Sequence, residues 1–179
     1  MFKEIPNILT VFRIILIPIL VMSFYIDTKA SRYIYTGIFI FASITDYIDG
    51  LLARLWKAET NFGRMLDPIA DKMLVVSTLL MLVYKGMAPV IPIVAILCRE
   101  IFVSGMREYL GESKIVLPVN ILGKIKTAVQ MIAIIVIMIG SDLVSWKYIQ
   151  NIGEISLWVA AILTIVSGFI YCREGMKHI

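Results

Sequence analysis

Charge is what this sequence has least of. Only 17% of its 179 residues are charged while 60% are hydrophobic, which excludes an ordinary water-soluble domain and implies one integral membrane domain over residues 1–179. The net charge of +4 is modest, and no nucleic-acid partner is expected. Two cysteines, Cys98 and Cys172, are too few for a disulfide framework and read as free thiols. The single histidine, His178, reads as a solvated tail residue rather than a ligand. No small-residue cleavage site follows "MFKEIPNILTVFR", so a signal peptide is not expected.

Long uncharged runs are scarce as well. Those present are Ile14–Ile26, Tyr33–Thr45, Met73–Tyr84, Gly86–Cys98, Thr127–Ser141 and Ile155–Cys172, of 13, 13, 12, 13, 15 and 18 residues. A helix needs about 20 residues to cross the hydrocarbon of a bilayer. Five runs must therefore extend into their polar neighbours. Polar backbone cannot face lipid, so the expected fold is all-α, a six-transmembrane-helix bundle with short loops. Six crossings put both termini on one side. With that side cytoplasmic, thirteen of the seventeen Lys and Arg fall inside and Lys29, Arg32, Lys85 and Lys147 outside, as the positive-inside bias requires. The first five runs are each polar at the end that this topology makes cytoplasmic. The shared side of the missing apolar length predicts a cytoplasm-facing polar cavity. Trp146 and Tyr148 suit an interfacial belt on the opposite side.

Against this apolar background, "TDYIDGLLARLWKAETNFGRMLDPIADKM" holds four aspartates, Asp46, Asp49, Asp67 and Asp71. A charged side chain at the centre of a membrane helix costs roughly 3 kcal/mol on insertion scales, so a functional reason is expected. Asp46 and Asp49 are three residues apart and share a helix face, on which Gly50 and Ala53 leave room for a bulky group. Asp67 before Pro68 suits a helix N-cap followed by proline at the first helical position. Asp71, four residues on, shares its face. Two antiparallel helices then present carboxylate pairs at similar depth. Four such charges need cations between them, and all-carboxylate ligation favours two hard divalent ions, Mg²⁺ or Mn²⁺, in a clamp of the kind that assists phosphoryl displacement. The competing reading is helix caps and surface ion pairs with Arg54, Arg64 and Lys72, which accounts for Asp67 and leaves Asp46 unexplained.

The complete pattern, Asp46-x2-Asp49-Gly50-x2-Ala53-Arg54-x8-Gly63-x3-Asp67-x3-Asp71, resembles the signature of the CDP-alcohol phosphatidyltransferase family. That resemblance implies a six-helix membrane enzyme, usually a homodimer, moving a phosphatidyl group from a CDP-linked donor to an alcohol and releasing CMP. It implies that Asp46, Asp49, Asp67 and Asp71 are metal ligands, with Asp71 also the catalytic base. It further implies that Gly50, Ala53, Arg54 and Gly63 accept the CDP moiety. Upstream, "PNILTVFR" is similar to the family's first-helix element, which would place Asn7, Thr10 and Arg13 toward the nucleotide. Read without the family, Asn7 is equally a helix N-cap and Arg13 a snorkelling end residue.

Cations also gather in "CREIFVSGMRE" and "ILGKIKTAVQ". Arg99, Arg107, Lys124 and Lys126 would suit the phosphate of an anionic acceptor, or else positive-inside charge facing anionic lipid heads. Both segments resemble the branch of the family that makes phosphatidylglycerophosphate from CDP-diacylglycerol and sn-glycerol 3-phosphate; inositol phosphate is the rival acceptor. A non-enzyme alternative is a small cation or proton carrier, for which intramembrane acids are also expected. Carriers place such groups near mid-bilayer on a route reaching both faces, whereas these acids all lie toward one side. The expected setting is the inner, cytoplasmic membrane among its lipids, with the site on the cytoplasmic side.

Overall fold

A computed structural model describes residues 5–55, 61–112, 121–144, 146 and 148–178; within these, the side chains of 5–7, 49–55, 61, 62, 64, 112, 141, 142 and 178 lie outside the description. Six α-helices follow one another: α1 (Ile5–Phe24), α2 (Lys29–Leu55), α3 (Asn61–Tyr84), α4 (Val90–Glu112), α5 (Ile121–Leu143) and α6 (Ile149–Gly175), with a closing 3₁₀ turn at Met176–His178. No strand occurs among the described residues. The helices hold 20, 27, 24, 23, 23 and 27 residues. Each apolar run thus continues into its polar neighbours, because backbone hydrogen bonding, unlike side-chain hydropathy, does not stop at the first charge.

By length and composition, Ile121–Gly140 and Ile149–Gly175 are able to cross a membrane, and Ile8–Phe24 is a shorter apolar helix. The faces turned outward are apolar in every helix: Ile15 and Met22 on α1, Ile91 and Ile101 on α4 and Phe169 on α6 are all more than half exposed. Such continuous apolar exposure has no place in water and suits lipid.

Pro18 lies inside α1, which runs through it, with the ring on the exposed side. Asp67 was expected to cap a helix starting at Pro68, but α3 begins at Asn61 and Pro68 lies inside it. Proline forfeits one backbone hydrogen bond, here toward the Arg64 carbonyl. Helical turns on both sides bridge that loss. Asp67 and Asp71 consequently sit about 9 and 15 Å along α3 rather than at its tip.

The chain divides into two compact units, Met1–Lys85 with Asp142–Ser145, and Gly86–Ser141 with Trp146–Ile179. In the first, α1 packs extensively on both α2 and α3, which touch each other little. The buried positions of α1 explain this: Thr10, Arg13, Ile17, Leu20 and Phe24 recur at the three- and four-residue spacing of one helix face. That face is polar in its first half and apolar in its second. Leu74, Leu79 and Leu82 of α3 and Phe39 and Ala42 of α2 complete the core. At the apolar end Phe24 and Tyr35 stack with centroids 4.0 Å apart, and Asp27 pairs with Lys85. Entry into α2 is set by a reciprocal cap. Ser31 N–H donates to Thr28 Oγ1 at 3.1 Å and Thr28 N–H to Ser31 Oγ at 3.3 Å, a capping box with serine in the usual glutamate position.

In the second unit α4 packs on α6. The buried face of α6 is made of small residues, Gly153, Ala160, Ala161, Thr164, Ser167 and Gly168, with Leu157 among them, which lets neighbouring backbones approach. A Cβ on Gly153 would come within 2.6 Å of Ile137 Cγ1. Gly140 interrupts α5 with φ 55° and ψ −176°, a conformation that glycine alone adopts without strain. The expected run ended one residue later, at Ser141.

Candidate active site

Two polar clusters stand out, one in each unit. The first is built around α1. Thr10 and Arg13, one helical turn apart, each reach a different acid-bearing helix. The Thr10 hydroxyl donates to Asp67 of α3, and Arg13 Nη1 lies 2.5 Å from Asp46 Oδ1 of α2. Thr10 and Arg13 are almost completely buried, whereas the Asp46 side chain is one-third exposed. Burying a guanidinium in a helical core is costly unless an anion meets it, so the pair fixes how α1 and α2 register. Asp71 and Asp67 are close enough to Asp46 to act on its charge. Three of the four aspartates singled out from the sequence are therefore drawn together at the polar end of the α1–α3 unit. Asp49, with Gly50, Ala53, Arg54 and Asn7, has its side chain outside the described residues. Gly63 is buried near the start of α3.

Among the described residues no three His, Cys, Asp or Glu side chains are gathered closely enough to form a metal shell. The donor chemistry nonetheless fits a hard divalent cation. Asp46, Asp67 and Asp71 offer oxygen only, and their mutual repulsion falls on one locality that a bound cation relieves.

The second cluster reverses the balance of charge. Arg99 on α4 is held by three contacts. Its Nη1 lies 3.1 Å from Glu100 Oε1, its Nη2 donates to Ser167 Oγ of α6 at 3.2 Å, and its stem lies along Gly168. Lys126 of α5 is buried and paired with the same Glu100 oxygen. Arg107, exposed and two turns after Arg99, stands over the Tyr171 ring at 5.8 Å, within the range of a cation–π contact. Arg107 and Tyr171 both lie within electrostatic reach of Arg99. Of the four cations expected to serve an acceptor phosphate, Arg99, Arg107 and Lys126 thus join this network, while Lys124 is exposed and takes no part in the contacts above. Glu100, Ser167 and Tyr171 were not anticipated. Glu100 carried a readable signal, an acid inside an otherwise apolar helix. Ser167 carried none. Cys98 and Cys172 are both free thiols, as expected.

Taken separately, the first cluster offers acids able to hold cations and the second fixed cations able to bind phosphate. Comparison with known proteins points the same way. The family profile of the CDP-alcohol phosphatidyltransferases matches residues 3–166. A Rickettsia felis protein named CDP-diacylglycerol–glycerol-3-phosphate 3-phosphatidyltransferase is 43% identical over 176 residues, covering 98% of this chain and 97% of the relative. Proteins of the same name from Haemophilus influenzae and Cereibacter sphaeroides are 43% and 37% identical, covering 95% and 98% of this chain and 92% and 97% of their own lengths.

Proposed function

We propose, for a chain that belongs to the CDP-alcohol phosphatidyltransferase family, that it transfers the phosphatidyl group of CDP-diacylglycerol to sn-glycerol 3-phosphate, giving phosphatidylglycerophosphate and CMP. The observation that carries this reading is the aspartate pattern from Asp46 to Asp71, in which Asp67 and Asp71 both lie within electrostatic reach of Asp46, in a chain whose relatives bear that reaction as their name. The chain is a membrane transferase. Its working form is a single domain over residues 1–179, with six crossings, both termini and a polar cavity on the cytoplasmic side of the inner membrane, surrounded by lipid and paired as a homodimer.

The roles follow from chemistry. The donor's acyl chains stay in lipid while its cytidine diphosphate meets the acid-bearing unit, where Gly50, Ala53 and Gly63 leave space for it and Asn7, Thr10, Arg13 and Arg54 supply polar contacts. Asp46, Asp49, Asp67 and Asp71 would hold two divalent cations, Mg²⁺ or Mn²⁺, which would supply charge neutralisation for the diphosphate. Arg99, Arg107 and Lys126, with Lys124 at the margin, bind the acceptor's phosphate; fixed guanidinium and ammonium groups restrict its orientation and so favour attack by its free hydroxyl. Asp71 accepts a hydrogen bond from that hydroxyl and takes its proton as the new oxygen–phosphorus bond forms and the bond to CMP breaks.

The deciding measurement is CMP release from CDP-diacylglycerol by the purified protein, offered glycerol 3-phosphate, inositol phosphate or serine, with Mg²⁺, with Mn²⁺ and with chelator. Release with glycerol 3-phosphate alone, lost on chelation and restored by either ion, is expected. Preference for inositol phosphate would move the chain to another acceptor within the family, and no release with any acceptor would overturn the reading.

A further inference from the structure

We infer that Ser167 and Gly168 of α6 form a seat that aims Arg99, making α6 a determinant of acceptor recognition rather than membrane scaffold. This rests on the assignment of Arg99 to the acceptor phosphate. An arginine on a helix has many rotamers to give up, so one that binds phosphate well must be held in place beforehand. Three features of the α4–α6 packing hold this one.

First, Ser167 presents an acceptor and not a donor. Its hydroxyl proton is committed to the Thr164 carbonyl at 3.0 Å, which leaves a lone pair for Arg99 Nη2. The residue is buried, so water does not compete for that lone pair. Second, Gly168 makes the approach possible. A Cβ there would stand 2.8 Å from Arg99 Cγ and 3.2 Å from its Nε. Any side chain larger than hydrogen would push the arginine stem off α6. Third, Glu100 takes Nη1, while Nε is buried without a hydrogen-bond partner. The guanidinium is thus pinned at two nitrogens, with Nε turned against Gly168. None of this is visible in the composition of α6, whose serine and glycine read as ordinary small residues of a membrane helix.

The test separates the seat from the arginine it serves. In purified protein, Ser167→Ala should raise KM for glycerol 3-phosphate about fivefold, as loss of one charge-assisted hydrogen bond implies. It should leave KM for CDP-diacylglycerol and kcat at saturating acceptor unchanged. Ser167→Thr, which keeps the oxygen, should restore most of the affinity, and Gly168→Ala should raise acceptor KM more than Ser167→Ala does. Calorimetric titration of glycerol 3-phosphate into the detergent-solubilised protein should show the same ranking without turnover. Should Gly168→Ala fail to fold, the Ser167 pair decides alone. Arg99→Ala is the reference. If it raises acceptor KM while Ser167→Ala does not, or if Ser167→Ala moves both substrates equally, the seat is wrong and the acceptor site stands. If Arg99→Ala itself leaves acceptor KM untouched, the acceptor assignment fails and the seat fails with it.

Discussion

The two polar clusters are built as opposites. In the cluster of the α1–α3 unit, the described side chains are three acids, Asp46, Asp67 and Asp71, with one buried cation, Arg13, against Asp46. In the α4–α6 unit, cations predominate and one acid, Glu100, bridges two of them. Each cluster therefore carries a minority charge of opposite sign, and in both that charge forms an ion pair across two helices: Arg13 ties α1 to α2, and Glu100 ties α4 to α5. A set of like charges within a helical membrane protein is expensive to assemble. One opposite charge lowers that cost and, being single, fixes helix register, while the remaining like charges keep their capacity for a ligand of opposite sign.

The widest separation between majority and minority roles should come from Asp71. Asp71→Asn removes a charge from the crowded acid cluster, so folding should not suffer, and melting in detergent should match or exceed wild type. CMP release should fall about a thousandfold, within the range for loss of a general base. Near-normal turnover would take Asp71 out of catalysis and weaken the claim that the acid excess is kept for chemistry.

The minority charge should behave in reverse. Arg13→Ala leaves Asp46 facing a cavity with no counter-charge. Breaking a fully buried pair costs about 3–5 kcal/mol, but Asp46 is one-third exposed, so about 2 kcal/mol is expected here. A clear drop in melting temperature, partly recovered in Arg13→Lys, is the expected result. A protein of unchanged melting temperature that fails only in turnover would make Arg13 a substrate contact alone and remove its part in helix register.

This asymmetry also explains what could be read in advance. Residues of the majority charge announce themselves: four aspartates in an apolar chain, or arginines and lysines at the ends of runs, are improbable without a purpose. All-helical architecture and the extension of each run were legible too, because bilayer thickness sets a minimum length. Minority residues were harder. Arg13 looked like a snorkelling end residue or a nucleotide contact, since nothing local says that its partner is Asp46, 33 residues away. Ser167 meets Arg99 across 68 residues, and no periodicity encodes such a meeting. Asp67 misled for a different reason. Asp-Pro is a strong local signal for a helix start, yet α3 begins at Asn61, where packing on α1 outweighs the single hydrogen bond that Pro68 forfeits.

Glu100→Gln should sharpen the comparison at smaller amplitude. The amide keeps the shape and removes the charge, leaving Arg99 and Lys126 less neutralised. Folding should lose about 1 kcal/mol. The pocket becomes more positive, so the acceptor dianion should bind about threefold more tightly, seen as a lower KM for glycerol 3-phosphate. A raised KM instead would mean that Glu100 orients the two cations more than it competes with phosphate for them.

The smallest effect should belong to the cation outside the network. Lys124 and Lys126 are neighbours in sequence and were expected to act alike, but two positions on a helix turn the side chain by about 200°. Lys126 is buried against Glu100, and Lys124 is exposed. A solvated ammonium contributes through a screened field alone. Lys124→Ala should therefore change acceptor KM by less than about twofold, and added salt should erase the difference. Lys126→Ala should raise acceptor KM severalfold at any ionic strength. An effect of Lys124→Ala equal to that of Lys126→Ala and indifferent to salt would place both lysines on the phosphate and dissolve the distinction between a built cluster and the charge around it.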